Sequence, residues 1–261
     1  MPIRFDVDGP VAVITIDRLE AANAIDRPTA AELADAFRHF DADASLAVAV
    51  LTGAGGKFCA GADLKAIHET ALAGEESRAV RVEPEGDGPL GPTRMLLDKP
   101  VIAAVEGHAV AGGFELALWC DLRIVADDAL FGVYCRRWGV PLMDGGTVRL
   151  GRLVGHGRAL DIILTGRAVP ADEALQIGLA TRVVPRGETL TAALEMAHKI
   201  AGLPQGAMRS DRRSAYEQWS HELPDALLAE YHHGMSTLLT GETLAGVARY
   251  ASGDWKPDDF F

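Results

Sequence analysis

Lys99-Pro100-Val101-Ile102-Ala103-Ala104-Val105-Glu106-Gly107-His108-Ala109-Val110-Ala111-Gly112-Gly113-Phe114-Glu115 changes character twice within a short span. Val101 to Val105 is an apolar, β-branched run that reads as a buried strand. Gly107 to Gly113 is a turn of small residues, Glu115 to Trp119 reads as a helix, and Leu122 to Val125 reads as the next strand. A strand that turns through Gly and Ala into a helix presents main-chain NH groups that neither a ladder nor a helix consumes, and small side chains let a ligand approach them. Phe58-Cys59-Ala60-Gly61-Ala62-Asp63-Leu64 is a second junction of the same kind. Amides held in this way can bind an oxyanion. The plain alternative is that the small residues only permit close packing of helix against strand.

Outward from these junctions the pattern is α/β. Ile3 to Asp8 and Val11 to Ile16 are β-rich runs joined at Asp8-Gly9-Pro10, a hairpin signal. A helix follows, with Thr29 and Glu32 at capping-box spacing, Pro28 in the first turn, and Leu33, Ala36, Phe37 and Phe40 at helical intervals. Ala47 to Leu51 reads as a buried strand entering the loop Gly53-Ala54-Gly55-Gly56. His68 to Pro92 has little periodicity and is expected to be a mobile surface excursion that walls a pocket. From Gly145 the pattern is mainly helical: Thr147 to Val154, Arg158 to Leu164, Ala171 to Ile177 and Leu190 to Ala201. Three further helical stretches follow Gln205 and carry Trp219, Leu227, Leu228, Tyr231 and Leu238, which need a surface to cover. The expected division is a core over 1–200 and a helical region over 201–261.

The totals narrow the function. The 261 residues carry a net charge of −12, which opposes binding to a nucleic acid backbone. No run approaches the length needed to span a bilayer, and Met1 to Gly9 reads as a strand rather than a leader, so a soluble cytoplasmic protein is expected. Cys59, Cys120 and Cys135 are widely spaced and match no metal or disulfide pattern. Phe58 stands where the third Gly of G-x-G-x-x-G would be, and Phe rather than Ser or Thr follows Gly56-Lys57. No serine lies in G-x-S-x-G, and neither His68-Glu69 nor His221-Glu222 continues to H-E-x-x-H. Dinucleotide, phosphate-loop, triad and zinc readings all lose support.

Asp17-Arg18-Leu19-Glu20-Ala21-Ala22-Asn23-Ala24-Ile25, Phe58 to Leu64, Lys99 to Asp121 and Gly146 to Arg149 together resemble, in order and approximate spacing, the signature segments of the crotonase (enoyl-CoA hydratase/isomerase) superfamily. That resemblance implies a spiral of ββα units with a C-terminal helical trimerisation region, giving a homotrimer or a dimer of trimers. It implies an acyl-CoA thioester as substrate, no cofactor beyond the CoA of the substrate, and an oxyanion hole at Ala62 and Gly112. It places Ala21, Ala22, Ala60, Asp63, Leu64, Ala111 and Cys135 along the substrate. The chain has Glu20 and Ala22 where family members often carry a cation, so Arg18, Lys65 or another subunit's basic residues are expected to meet the CoA phosphates.

Glu115 matches one of the two glutamates of enoyl-CoA hydratases, while the position of the second is occupied by Cys135. A thiol with an ordinary pKa near 8.5 is a poor acid-base substitute, although Arg136 and Arg137 could favour its thiolate. Asp144 precedes Gly145-Gly146-Thr147 and is open to two readings, a proton-transfer partner of Glu115 or the N-cap of the next helix. The expected activity is proton transfer on an acyl-CoA, as in a hydratase or isomerase. The alternatives are hydrolysis by the same pocket, or a non-catalytic acyl-CoA binder.

Overall fold

The structure, a computed structural model, describes residues 1–74 and 83–253. The described residues fall into two compact units, Met1–Ala197 and a helical unit that begins at His198.

In the first unit, β1 (Ile3–Asp8) and β2 (Val11–Ile16) form the expected antiparallel hairpin, with Asp8 opposite Val11 and Ile3 opposite Ile16. β2 is buried along its whole length because β3 (Val48–Gly53) flanks it in parallel on its other side. β4 (Val101–Val105), β6 (Leu122–Ala126) and β9 (Arg182–Val184) continue the sheet in parallel, in the order β1-β2-β3-β4-β6-β9. Parallel strands covered on both faces need continuous apolar runs rather than alternation, and β2, β3 and β4 supply them. A second, three-stranded sheet has the order β5 (His108–Val110), β7 (Leu130–Gly132), β8 (Ala168–Pro170). β4 of the large sheet leads into β5 of the small one and then into a helix, and β6 leads likewise into β7, the repeat expected of a spiral of ββα units. The strands β5, β7, β8 and β9 have three residues each, too few to leave a periodic signal, and the mainly helical reading beyond Gly145 missed β8 and β9.

The first helix, α1 (Arg27–Ala42), buries Leu33, Ala34, Phe37 and Phe40. Its cap is Asp26, whose carboxylate accepts from Thr29 N at 2.9 Å, and not the expected Thr29. Helix α2 (Leu64–Leu72) takes in His68, so the irregular segment starts later than its composition implied. Residues 75–82 of that expected excursion lie outside the described residues. The remaining helices of this part are α3 (Gly112–Trp119), α4 (Gly146–Val154), α5 (His156–Thr165), α6 (Ala171–Gln176) and α7 (Thr189–Ala201). The second unit contains α8 (Gln205–Glu217), α9 (Leu223–Leu238) and α10 (Glu242–Ser252), with no strand among its described residues. Glu242 accepts from Gly206 N and Ala207 N and so ties α10 to the start of α8. Leu223, Leu227, Tyr231, Leu239 and Leu244 of this unit are exposed in the single chain. Among the described residues no helix is long and apolar enough to cross a membrane.

Candidate active site

The two Gly- and Ala-rich junctions lie side by side. Phe58 N donates to Glu106 O at 2.8 Å, Cys59 N to His108 O at 3.0 Å, and Val110 N to Cys59 O at 3.1 Å. Gly61 has φ +96°, and a Cβ there would stand 2.8 Å from Gly112 N, so the close approach of the two loops requires glycine. Ala111 is held at φ +53°, ψ −125°, a strained conformation for a residue with a side chain. Its N–H donates to Gly132 O at 2.8 Å, and its carbonyl accepts from Phe114 N and Glu115 N. This turn opens α3 and leaves the Gly112 amide among the unpaired donors of a helix start. Across the junction, Ile25 N donates to Gly61 O and Asp63 N to Ile25 O, which bypasses Ala62 N. Among the described residues neither Ala62 N nor Gly112 N donates to a protein acceptor.

Both residues line one cavity of about 240 Å3. Ala60, Leu64, Ala111, Glu115, Cys135 and Asp144 line it as well, together with Ile67, Pro89, Leu90, Tyr134, Trp138, Val140, Pro141 and Met143. The expected pocket wall from the His68 to Pro92 segment is represented by Pro89 and Leu90. Ala21 and Ala22 do not reach the cavity; they form a short 3-10 turn (Leu19–Ala21) and its left-handed end, Ala22 at φ +53°. Asp63 is also outside it. Its carboxylate caps α2 through Lys65 N and Ala66 N, both at 3.1 Å, and pairs with Arg18 at 3.1 Å. Arg18 is therefore no free cation for a phosphate: its guanidinium also bonds Ala24 O at 2.5 Å and pairs with Asp26 at 3.0 Å. Lys65 is exposed.

Glu115 sits in the first turn of α3 and is 3% exposed. Its Oε1 accepts from Asp144 N at 2.9 Å and Gly146 N at 2.8 Å. Burial pushes its carboxyl up to about 7, with the nearby Asp144 charge adding to the rise and the Gly146 and Asp144 amides opposing it. Asp144 is buried too, and burial again lifts its carboxyl above the ordinary range against the pull of Thr93, Leu90 and the cations Arg94 and Arg149. Its Oδ1 accepts from Leu90 N at 3.0 Å and from the Thr93 hydroxyl. The helix-cap reading of Asp144 fails: the cap of α4 is Gly145, with no side-chain bond.

Cys135 lies in a 3-10 turn (Tyr134–Trp138) and is buried. Burial and the Glu115 carboxylate push its thiol up, and Arg136 only partly offsets them, so the environment does not favour a thiolate. Sequence reasoning missed Thr93, whose position gives no local signal, and the role of Arg149 within its recognised segment. Arg149 donates to Asp144 O at 2.8 Å and to Thr93 O at 2.7 Å, clamping two turns of chain that are far apart in sequence.

A family model for enoyl-CoA hydratase/isomerase matches residues 6–253. An enoyl-CoA hydratase of Mycobacterium tuberculosis, EchA19, is 34% identical over 93% of this chain and 91% of its own length. The mevalonyl-coenzyme A hydratase sidH of Aspergillus fumigatus is 31% identical over 95% of this chain and 92% of its own. The crystal structure of enoyl-CoA hydratase EchA1 from Mycobacterium marinum superimposes with a TM-score of 0.89 at 33% identity, covering 97% of this chain and 96% of that one. With two Gly- and Ala-rich junctions meeting at one cavity and a match along nearly the whole sequence, this chain belongs to the enoyl-CoA hydratase/isomerase family of the crotonase superfamily.

Proposed function

We propose that the protein is an acyl-CoA enzyme that stabilises a thioester enolate and moves a proton on the acyl chain. The observation that carries this reading is the joint presence, around one cavity, of two unpaired amides, Ala62 N and Gly112 N, and two buried carboxyls, Glu115 and Asp144. The thioester oxygen accepts from the two amides, which stabilise the charge that appears on it when the α-proton leaves. Removing one such donor typically costs about 2.7–4 kcal/mol of transition-state stabilisation.

Glu115, with a carboxyl near 7, is suited to take or return a proton at neutral pH. The Asp144 and Gly146 amides both bond Oε1, the Met143 amide also acts on this carboxyl, and Oε2 is taken as the oxygen that exchanges the proton. Asp144 replaces the second hydratase glutamate as the partner acid, and Cys135 contributes shape beside the acyl chain. The apolar wall of Leu64, Ile67, Trp138, Val140 and Met143 receives the acyl group, with Ala60 and Ala111 bordering the path of the thioester arm. Ala21, Ala22 and Asp63, outside this cavity, border the adjoining groove along which the CoA arm lies. The reaction so drawn needs no cofactor other than the CoA of its substrate. The exposed apolar residues of α9 and α10 are covered in a homotrimer, or a dimer of trimers.

The experiment is exchange of the α-proton of saturated acyl-CoAs, butyryl to lauroyl, in deuterated solvent, alongside hydration and isomerisation of the matching enoyl-CoAs. Exchange by the native chain and its loss in Glu115→Gln, with thioester binding retained, support the proposal. Tight binding with no exchange on any of the thioesters would mean a carrier and not an enzyme.

A further inference from the structure

We propose that Thr93 is a positioning residue that commits one oxygen of Asp144 to the scaffold and leaves the other for the substrate proton. This inference rests on the assignment of Asp144 as the proton-transfer partner. Thr93 lies in a 3-10 turn (Pro92–Arg94), is almost fully buried, and donates its hydroxyl proton to Asp144 Oδ1. Leu90 N, which can only donate, points at the same oxygen from 3.0 Å. Arg149 fixes both partners by binding the carbonyls of Thr93 and Asp144.

An oxygen that accepts two hydrogen bonds is a poor place for a proton, so protonation of Asp144 falls on Oδ2. Oδ2 has no protein partner among the described residues, on a side chain that lines the cavity. The step is a simple transfer: a proton moves from the substrate to Oδ2, or the reverse, while Oδ1 keeps both of its bonds. Without the Thr93 hydroxyl the carboxyl can rotate or take the proton on Oδ1, where the substrate cannot reach it. The charged and titratable groups around Asp144 are Glu115 on α3, Cys59 beside it, Arg94 on the Thr93 turn and Arg149 on α4. The two donors on Oδ1 are Leu90 N and the Thr93 hydroxyl, neither of them from these groups.

The test uses the full chain and the saturated acyl-CoA, from butyryl to lauroyl, whose α-proton exchanges fastest. Thr93→Val, Thr93→Ser and Asp144→Asn are compared with the native chain across pH. Thr93→Val is expected to lower kcat about tenfold, the scale of one charge-assisted hydrogen bond, with KM nearly unchanged. It also moves upward the limb of the pH profile that Asp144→Asn abolishes, because the carboxylate has lost a donor. Thr93→Ser restores both values. Native kcat and pH profile in Thr93→Val, with Asp144→Asn inactive, overturn the role of Thr93 alone. Native activity in Asp144→Asn overturns instead the assignment beneath it. Should Thr93→Val fail to fold, Thr93→Ala carries the same two outcomes.

Discussion

Gly146 N donates to Glu115 Oε1 at 2.8 Å, and a Cβ added at Gly146 would stand 2.9 Å from both Cγ and Oε1 of that side chain. Glycine at 146 lets its amide come this close, because a methyl group there would crowd the Glu115 side chain and force the carboxylate to shift.

Gly146→Ala is accordingly expected to leave the fold intact and to damage the chemistry. Position 146 opens α4 without a positive φ, so alanine suits the backbone there. A displacement of the carboxyl by about 1 Å can cost on the order of 100-fold in rate. Steady-state kinetics together with a melting curve check both halves: kcat falls far more than KM changes, while the melting temperature stays near the native value.

The raised carboxyl of Glu115 also makes stability depend on pH. Below the ordinary value of 4.5 both folded and unfolded chains hold this proton, and nothing is lost. Between about 4.5 and about 7 the unfolded chain releases it while the folded chain keeps it, so stability falls as pH rises. Glu115→Gln keeps an acceptor for the two amides and has no charge to bury. The variant is expected to be more stable than the native chain above pH 7, by on the order of 3 kcal/mol, with the difference vanishing near pH 4. Denaturant unfolding of both proteins across this range measures it, and equal stability at pH 8 would contradict the burial of a titrating Glu115.

What could be read from the sequence divides along the reach of the interactions. The two Gly- and Ala-rich junctions were legible because a strand, a run of small residues and a helix start are local features, carried within a few positions of each other, while the choice of Ala62, Gly112 and Glu115 within them came from the family resemblance. Asp144 was visible as a residue yet ambiguous in role, since its partners Leu90 and Thr93 come from a turn far upstream and α4 starts at a glycine cap. Arg18 looked like a free cation for the same reason: Asp26 and Asp63 reach it only in the folded chain. The strands β7, β8 and β9 were invisible because three residues cannot show a period, and their pairing is entirely long-range.

The Arg18–Asp63 pair offers a test of that correction. Asp63→Asn keeps an oxygen for Lys65 N and Ala66 N but loses the charge beside Arg18, whereas Asp63→Ala loses both. The alanine variant is expected to be less stable by about 1 kcal/mol more than the asparagine variant, the usual worth of an N-cap. Denaturant midpoints rank the three proteins. Equal stability of the two variants would mean that the cap at α2 contributes nothing.

Strain at Ala111 leads to an ordered series. Its φ of +53° with ψ −125° is accessible to glycine, costly for alanine and worse for a β-branched residue. Ala111→Gly is expected to change stability by less than about 1 kcal/mol, because relief of strain offsets the added freedom of the unfolded chain. Ala111→Val is expected to cost roughly 2 kcal/mol or more and to abolish turnover, since the turn at 111 aims the Gly112 amide. Denaturant unfolding and the α-proton exchange rate, measured on both variants, would separate this from a site indifferent to the backbone at 111.

Cys135 brings the missing glutamate to a direct trial. Its thiol is buried and pushed up, by loss of water first and by the Glu115 carboxylate second, so it stays neutral through the physiological range. Cys135→Ala is therefore expected to retain α-proton exchange within about threefold, since it removes no ionised group and only a small buried volume. Alkylation of the native thiol should be slow at pH 8 compared with a free cysteine, because the thiolate is the reactive form. Cys135→Glu places a second carboxylate beside Glu115, which raises the Glu115 carboxyl further and lowers stability above neutral pH. If loss of that acid is what separates this chain from a two-glutamate hydratase, the same variant gains enoyl-CoA hydration relative to α-proton exchange. Should Cys135→Ala instead lose exchange completely, the thiol takes part in the chemistry and Asp144 is not the sole partner of Glu115.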